Sequence, residues 1–330
     1  MLYILKGDLE YFANHYHLRH YNAENMCDFC PAHRNTADPG LLFNNCSSTS
    51  RWQTLLFTGP QWLRLRDQQA PHPVFLNIGI NQFSVEPDEL HIMYLGTLQY
   101  LLGSILHVLV YTIMPNSPEH NLNVVWDEIN KSYKDNKVGC QYGNMSLPTF
   151  VDARSPHKNY PKLRGKGAES RDLTASLLDA WVALAPDAYR DKPIISGMLQ
   201  NQLAIQEVLS DHKREMFLPL PAIKRLRSSI DKLLIAYQRM AASADSEGKV
   251  IWNCPTKWHW LWHVGDRAQY LNPRRAATMI NEDFVGRIKD IAHSCGAGTE
   301  LHQMSIKACD KYRWGFHFLV AYRHARNSRF

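Results

Sequence analysis

The alternation of apolar and polar positions predicts a mostly helical chain that begins with one short strand. Residues 2–7 form an apolar run that ends at Gly7 and Asp8, which is typical of a buried strand. Residues 9–20 have the spacing of a short helix. Further helical patterns occupy residues 118–135, 173–245, 255–270, 281–293 and 303–324. We therefore expect an α+β fold in which helices dominate.

The longest apolar stretch, residues 91–114, contains no Asp, Glu, Lys or Arg. Its length would suit a membrane span, but it contains His107, ends at Pro115 and has no cluster of Lys or Arg at its flanks. A helix that is apolar on every side is typical of the centre of a soluble core. We expect such a core helix and no membrane contact. A third interpretation places a reaction site at its start, around Asp88 and His91.

Composition and charge fit a globular protein and leave nucleic acid open as a partner. Of the 330 residues, 45% are hydrophobic and 21% are charged, which allows a sizeable core and excludes wholesale disorder. The net charge of +6 is mildly basic. The loop-rich segment 136–172 includes the basic stretch HKNYPKLRGKG. This stretch is compatible with a contact to a nucleic-acid backbone, with an internal linker and with a solvated loop.

The cysteines indicate a reducing compartment and one metal half-site. Seven cysteines in a chain of this length do not suggest a disulfide framework, and the N-terminus lacks a leader pattern, so we expect an intracellular protein. Cys27 and Cys30 have the C-x-x-C spacing of a zinc half-site, although two ordinary cysteines in a tight turn share it. The side chains near enough in sequence to complete a Zn²⁺ site are His15, His17, His20, His33 and Cys46.

Three further groups could carry chemistry, and each also has a simpler structural explanation. Asp8 follows the predicted strand, which is a common place for a metal-binding carboxylate and also for a turn or a helix N-cap. Asp88 and His91 are three residues apart and share one helix face, as in a charge-balanced site or a local cap. Glu282 and Asp283 open a predicted helix, where acidic residues stabilise any first turn.

The stretch from Lys257 to His263 is the densest aromatic and basic segment of the chain. His259 and His263 are four residues apart, which suits a metal ion on one helix face. However, Trp260 stands where the metalloprotease motif H-E-x-x-H has Glu, so that activity is disfavoured. We assign the segment to core packing of its tryptophans. The glycine-rich motifs that cradle phosphates do not occur in the sequence.

Taken in order, these pieces resemble the cut-and-paste DNA transposases that have an RNase H-like core. The chain is most similar to the CACTA-like and Kyakuja-Dileera-Zisupton groups, and more narrowly to transposase-like proteins of dinoflagellates. The matching pieces are KGDLEYFANHYHLRHYN with CDFCPA, DELHIMYLGTLQYLLGSIL, PTKWHWLWH with LNPR, and NEDFVGRIKDIAHSCGAGT. They extend from residue 6 to about residue 299, so the resemblance covers most of the chain.

The resemblance implies cleavage and transfer of DNA strands at three acidic residues that hold two divalent cations, Mg²⁺ or Mn²⁺. The residues that match this site and the [C/D]-x-x-H motif beside it are Asp8, Asp88, His91, Glu282 and Asp283. Asp8 would be the second acidic residue, and Glu282, with Asp283 as its close competitor, would be the third. The first should lie on a strand before the present start. We therefore expect the chain as given to lack strand-transfer activity.

The same resemblance implies a division into three parts and a biological setting. Residues 1–114 would be a partial RNase H-like core with the C-x-x-C segment, and residues 115–255 a large helical insertion. Residues 256–330 would be the helices that complete the core. DNA would be the partner, the location would be nuclear, and homo-oligomers could form. The alternative function, from a different class, is a non-catalytic helical protein that binds DNA or protein and has a zinc-stapled N-terminal module.

Overall fold

The computed structural model of the chain describes residues 4–67, 72–77, 79–296 and 300–327. The structure does not describe the side chains of four stretches within helices, namely residues 66–67, 279–286, 301–302 and 319–327. Residues 1–277 form one compact unit, and residues 278–330 form a second.

The expected α+β fold with a partial RNase H-like core is wrong, because the described residues contain helices and no strand. Where we expected a strand, Leu5 makes one isolated parallel bridge with Val85. The chain then turns into helix α1 (Leu9–Tyr16), since the Asp8 side chain caps its first turn. An apolar run of this length specifies burial, but it becomes a strand only where a partner continues the pairing.

The centre of the first unit is helix α3 (Leu90–Ile113), which is the uncharged run. Its middle part, Leu98–His107, is α-helical, and both of its ends are wound as π-helix. Of its most apolar 18-residue window, 89% is buried within the protein, as expected of a core helix. Among the described residues it is the one helix that is long and apolar enough to cross a membrane. The expected lack of membrane contact therefore stays a prediction.

The later helices of the first unit pack on α3 or on one another. They are α4 (Pro118–Asp135), α5 (Gly167–Leu184), α6 (Lys192–Asp211), α7 (Leu220–Ser246) and α8 (Lys257–Arg267). Helices α4, α5 and α8 contact α3 directly, while α6 and α7 pack along each other. The predicted helical patterns in this part of the chain are confirmed. Their amphipathic faces explain the arrangement, because each helix buries its apolar side.

Residues 17–58, which we name the N-terminal segment, have little regular structure. They contain one three-residue 3₁₀ turn, Pro39–Leu41, and one isolated bridge between His33 and Leu42. Helix α2 (Gly59–Asp67) follows. A segment of this kind depends on side-chain contacts with other elements to keep its shape.

The second unit consists of two described helices, α9 (Met279–Cys295) and α10 (Leu301–Asn327). The two helices pack against each other, and Lys311 Nζ donates to Ser294 Oγ at 2.9 Å. The helices predicted at residues 281–293 and 303–324 are therefore confirmed.

Candidate metal centre

Cys27 and Cys30 lie in a tight turn of the N-terminal segment. The N–H of Phe29 donates to Cys27 Sγ at 3.3 Å. Arg19 braces the same turn, because its Nη1 donates to the Cys27 carbonyl at 2.8 Å and its backbone N–H donates to Asp28 Oδ2 at 3.0 Å. A backbone N–H that points at a cysteine sulfur stabilises the thiolate, which is the form that binds metal ions.

His259 and His263 lie one helical turn apart on α8, and both are buried. Aromatic rings from the N-terminal segment hold the two imidazoles in place. The Trp52 ring centroid lies 4.2 Å from that of His259, and the Phe29 centroid lies 5.3 Å from that of His263. Trp52 is itself anchored, since its Nε1 donates to two backbone carbonyls, each at 3.0 Å. Packing against these rings restricts the orientation of both imidazoles.

One ligand atom from each of Cys27, Cys30, His259 and His263 lies within 4.8 Å of all the others. Cys27 Sγ is 3.3 Å from His263 Nε2, and Cys30 Sγ is 3.4 Å from His259 Nε2. The two Nε2 atoms are 3.1 Å apart. A tetrahedral ion bound at about 2.3 Å to sulfur and about 2.0–2.1 Å to nitrogen requires S–N edges of about 3.6 Å and N–N edges of about 3.3 Å. The three separations therefore fit a tetrahedral Cys₂His₂ metal site.

Hydrogen bonding and charge favour the thiolate of Cys27, whereas burial favours the thiol of Cys30 and the neutral imidazole of His259. Burial alone would raise the pKa of Cys27, but the hydrogen bond with Cys30 and the imidazoles of His263 and His259 hold that pKa well below its usual value. Burial raises the pKa of the Cys30 thiol well above its usual value. Burial also lowers the pKa of His259, which keeps this imidazole neutral. A bound cation would remove the remaining thiol proton, since coordination deprotonates cysteine.

The structure confirms the cysteine half of the predicted metal site and shows that the other two ligands differ from those expected. Cys27 and Cys30 do belong to one group of metal-ligating side chains. The group is completed by His259 and His263, which lie 229 and 236 residues from their cysteine neighbours. Their spacing suited a metal ion, but we assigned the segment to core packing of its tryptophans. The signal that identifies the two histidines is the H-x-x-x-H spacing on one helix face. The nearby side chains that do not belong to the described group are His15, His17, His20, His33 and Cys46.

The structure also brings three of the other predicted residues to one place. Asp8 and His91 line a cavity of about 100 Å³ together with Lys257, which sequence reasoning missed. Asp88 is 1% exposed, and its Oδ2 lies 2.5 Å from His91 Nδ1. Burial lowers the pKa of Lys257 to about 8. Within the described part of the chain, three or more metal ligands converge in the Cys₂His₂ group alone, so Mg²⁺ or Mn²⁺ binding at Asp8, Asp88 and His91 stays a prediction.

Glu282 and Asp283 belong to the second unit, near the N-terminus of α9. Their side chains lie outside the described residues. Their role as the third acidic residue of a catalytic site stays a prediction.

Comparison of the chain with protein-family models, with curated proteins and with solved structures gives no match. The resemblance to transposases therefore stays a prediction, and the function has to be inferred from the geometry of the molecule.

Proposed function

We propose that this chain is a non-catalytic helical binding protein in which one structural Zn²⁺ ion staples the N-terminal segment to α8. The observation that carries the proposal is the convergence of four ligand atoms within 4.8 Å. Thiolate and imidazole together are a common ligand set of structural zinc. Mg²⁺ and Mn²⁺ prefer oxygen ligands, so they suit this group poorly.

The burial of the four ligands supports a structural ion over a catalytic one. A catalytic zinc ion has three protein ligands and keeps a fourth position for water or substrate. In this group four protein ligands converge, and each is at most 1% exposed. A tetrahedral ion bound by all four would have no position left for a reactant.

The location of the site explains what the ion would do for the fold. The two cysteines come from the N-terminal segment, and the two histidines come from a helix that ends the first unit. Since the N-terminal segment has little regular structure of its own, the ion would supply much of its attachment to α8. Small modules of this kind often fold only when the metal binds, because the binding free energy becomes folding free energy.

Metal analysis of the purified protein and of two cysteine variants tests the zinc staple. We expect one zinc ion per chain in the natural protein and a large loss in Cys30→Ala. The matched control is Cys46→Ala, because Cys46 is also a buried cysteine of the N-terminal segment and lies outside the ligand group. A natural protein without zinc, or an equal loss of zinc in both variants, would contradict the proposal.

DNA is the partner that we propose for this protein, and the support is electrostatic. The chain has a net charge of +6. Residues 154–166 carry five cationic side chains and no acidic one: Arg154, Lys158, Lys162, Arg164 and Lys166. All five are exposed, and three of them line a groove of about 710 Å³ together with the exposed ring of Tyr160 and one carboxylate, Asp152. Cations beside an aromatic ring suit a phosphate backbone and its bases.

The salt dependence of DNA binding tests this partner. Removing two cations that contact phosphates should reduce the slope of log K against log salt by about 2. We expect this reduction for Arg154→Ala with Arg164→Ala, because both side chains line the groove. The matched control is Lys131→Ala with Lys134→Ala on α4, which removes the same charge from another surface. Equal slopes in the two double variants would argue that the groove does not bind DNA.

Strand cleavage and transfer, which the transposase resemblance implies, is a second proposal with one supporting observation. Asp8, His91 and Lys257 line one cavity, and the buried Asp88 orients His91. We expect the chain as given to be inactive. Mg²⁺-dependent cleavage of DNA by the purified chain, abolished by Asp8→Ala, would favour this function over the non-catalytic one.

A further inference from the structure

A cavity walled by aromatic rings adjoins the metal centre. It has a volume of about 390 Å³, and its lining includes His263 and four aromatic side chains: Phe29, Phe57, Phe83 and Tyr270. Phe83 and Tyr270 are 45% and 48% exposed, and their rings meet edge to face with centroids 5.2 Å apart. Two large aromatic rings held at the mouth of a cavity cost hydration free energy unless a ligand covers them.

One cation in the wall has an unused donor. Arg267 is 5% exposed and forms a two-pronged ion pair with Glu86, at 3.1 Å and 2.8 Å. Its Nη2 also donates to the Gln82 carbonyl at 3.0 Å. Its third nitrogen, Nη1, makes no hydrogen bond within the described part of the chain. The guanidinium lies 4.5 Å from the Phe29 centroid and 5.6 Å from the Phe83 centroid. The cavity thus combines a free N–H donor with aromatic faces.

The amide of Gln82, a residue of the same wall, has an unused acceptor just beneath the cavity surface. Gln82 is 6% exposed, and its Nε2 donates to the Phe57 carbonyl at 2.9 Å. Its Oε1 is buried and has no hydrogen-bond partner among the described residues. A buried acceptor without a partner is uncommon and is often satisfied by water or a ligand.

We infer that this cavity binds a nucleobase. A base is flat, stacks on aromatic rings and carries both carbonyl or ring-nitrogen acceptors and N–H donors on its edge. Arg267 Nη1 would donate to a base acceptor, and Gln82 Oε1, which is sealed from solvent in this structure, would accept from a base N–H after a small shift of its side chain. An anion suits the cavity less well, because Glu86 already balances the charge of Arg267. A purely apolar group would leave both polar atoms unsatisfied.

The inference rests on the proposed function in two respects. Nucleic acid is the proposed partner, and two walls of the cavity belong to the metal centre, since His263 is a ligand and Phe29 follows Cys27 in the turn. A single-stranded nucleic acid could insert one base into the cavity while its phosphates contact cations elsewhere. A free nucleotide presents the same base chemistry, so the two sources must be separated by the choice of probe.

Binding measurements on the full chain with three probes test the inference. The probes are a twelve-nucleotide single-stranded DNA, an abasic strand with the same sugar–phosphate backbone, and free deoxynucleoside monophosphates. We expect the base-bearing strand to bind at least tenfold more tightly than the abasic strand. Phe83→Ala and Tyr270→Ala should each weaken binding of the base-bearing strand by about tenfold, since stacking on one aromatic ring contributes on that order. Phe217→Ala is the matched control, because Phe217 is also exposed and does not line the cavity.

The outcomes separate this inference from the proposed function. Equal affinity for the base-bearing and abasic strands would overturn the inference, and so would equal effects of the cavity variants and Phe217→Ala. Monophosphates that bind as tightly as the strand, with the same sensitivity to Phe83→Ala, would support it and assign the site to free nucleotides. Zinc is measured in the same samples. If the protein contains one zinc ion per chain but binds the base-bearing and abasic strands equally, only the nucleobase inference is wrong. If the protein contains no zinc, the proposed zinc staple is wrong.

Discussion

His107 should make the folded protein less stable as the pH falls below neutrality. It is 1% exposed on α3, and its ring centroid lies 4.9 Å from that of Tyr111 and 5.5 Å from that of His157. Burial, with a smaller contribution from the nearby His157, lowers the pKa of His107 to about 4. In the unfolded chain the same imidazole titrates near its ordinary pKa of about 6.5.

The sign and size of the effect follow from these two pKa values. Because the folded-state pKa of His107 is depressed, the unfolded chain takes up a proton that the folded chain does not. Stability from this group is therefore fully present above about pH 6.5 and is lost as the pH falls towards the folded-state value. Between pH 7.5 and pH 5.0, we expect this residue alone to reduce the free energy of unfolding by about 2 kcal/mol.

Urea unfolding of the natural protein and of His107→Leu at both pH values measures this contribution. The two proteins share every other titrating group, including the metal ligands, so the difference between their losses isolates His107. We expect the natural protein to lose about 2 kcal/mol more than the variant. His120→Leu, which replaces an exposed histidine on α4, should keep the pH dependence of the natural protein. If the free energy of unfolding falls equally in the natural protein and in His107→Leu between the two pH values, the reasoning is refuted.

Two further predictions concern close packing and buried charge. A side chain added at Gly103 would place its Cβ 2.7 Å from the backbone nitrogen of Leu163, so Gly103→Ala should destabilise the protein by about 1–3 kcal/mol. At Gly197 on α6 an added Cβ would meet no neighbouring side chain or other element within 4 Å, so Gly197→Ala should instead stabilise the protein by about 0.5–1 kcal/mol. Thermal unfolding that ranks the two variants alike would contradict this. Glu86→Gln leaves the buried charge of Arg267 without its counterion and should cost about 3–5 kcal/mol in urea unfolding. A cost below about 1 kcal/mol would show that Arg267 finds another partner.

Helix α4 shows how far local sequence signals reach. Its predicted bounds, residues 118–135, agree with the structure. Ser117 caps the first turn and Pro118 occupies it, while Leu122, Val125 and Ile129 are buried along one face. Each of these signals lies within the helix or next to it, so the sequence alone contains them.

The strand expected at residues 2–7 shows where such signals fail. An apolar run predicts burial, but whether it pairs depends on a partner elsewhere in the chain. The described partner of Leu5 is Val85, and their pairing is one isolated bridge. The RNase H-like core that the resemblance implied depended on a sheet, which the described residues do not form.

The metal centre likewise has one half that local sequence predicts and one half that depends on tertiary packing. The C-x-x-C half was predictable because its two ligands are local. The choice of His259 and His263 over the histidines closer to Cys27 depends on how α8 packs against the N-terminal segment. No spacing rule spans the 229 residues between Cys30 and His259. The pairing of Arg267 with Glu86, 181 residues apart, was missed for the same reason.

The most direct test of the zinc staple is X-ray absorption at the zinc edge of the purified protein. The account predicts a four-coordinate shell of two sulfur atoms at about 2.3 Å and two nitrogen atoms at about 2.0–2.1 Å. His259→Ala should lose one of the nitrogen atoms or the ion itself. A shell made of oxygen atoms, or a shell that is unchanged in His259→Ala, would contradict the claim that these four side chains bind the ion.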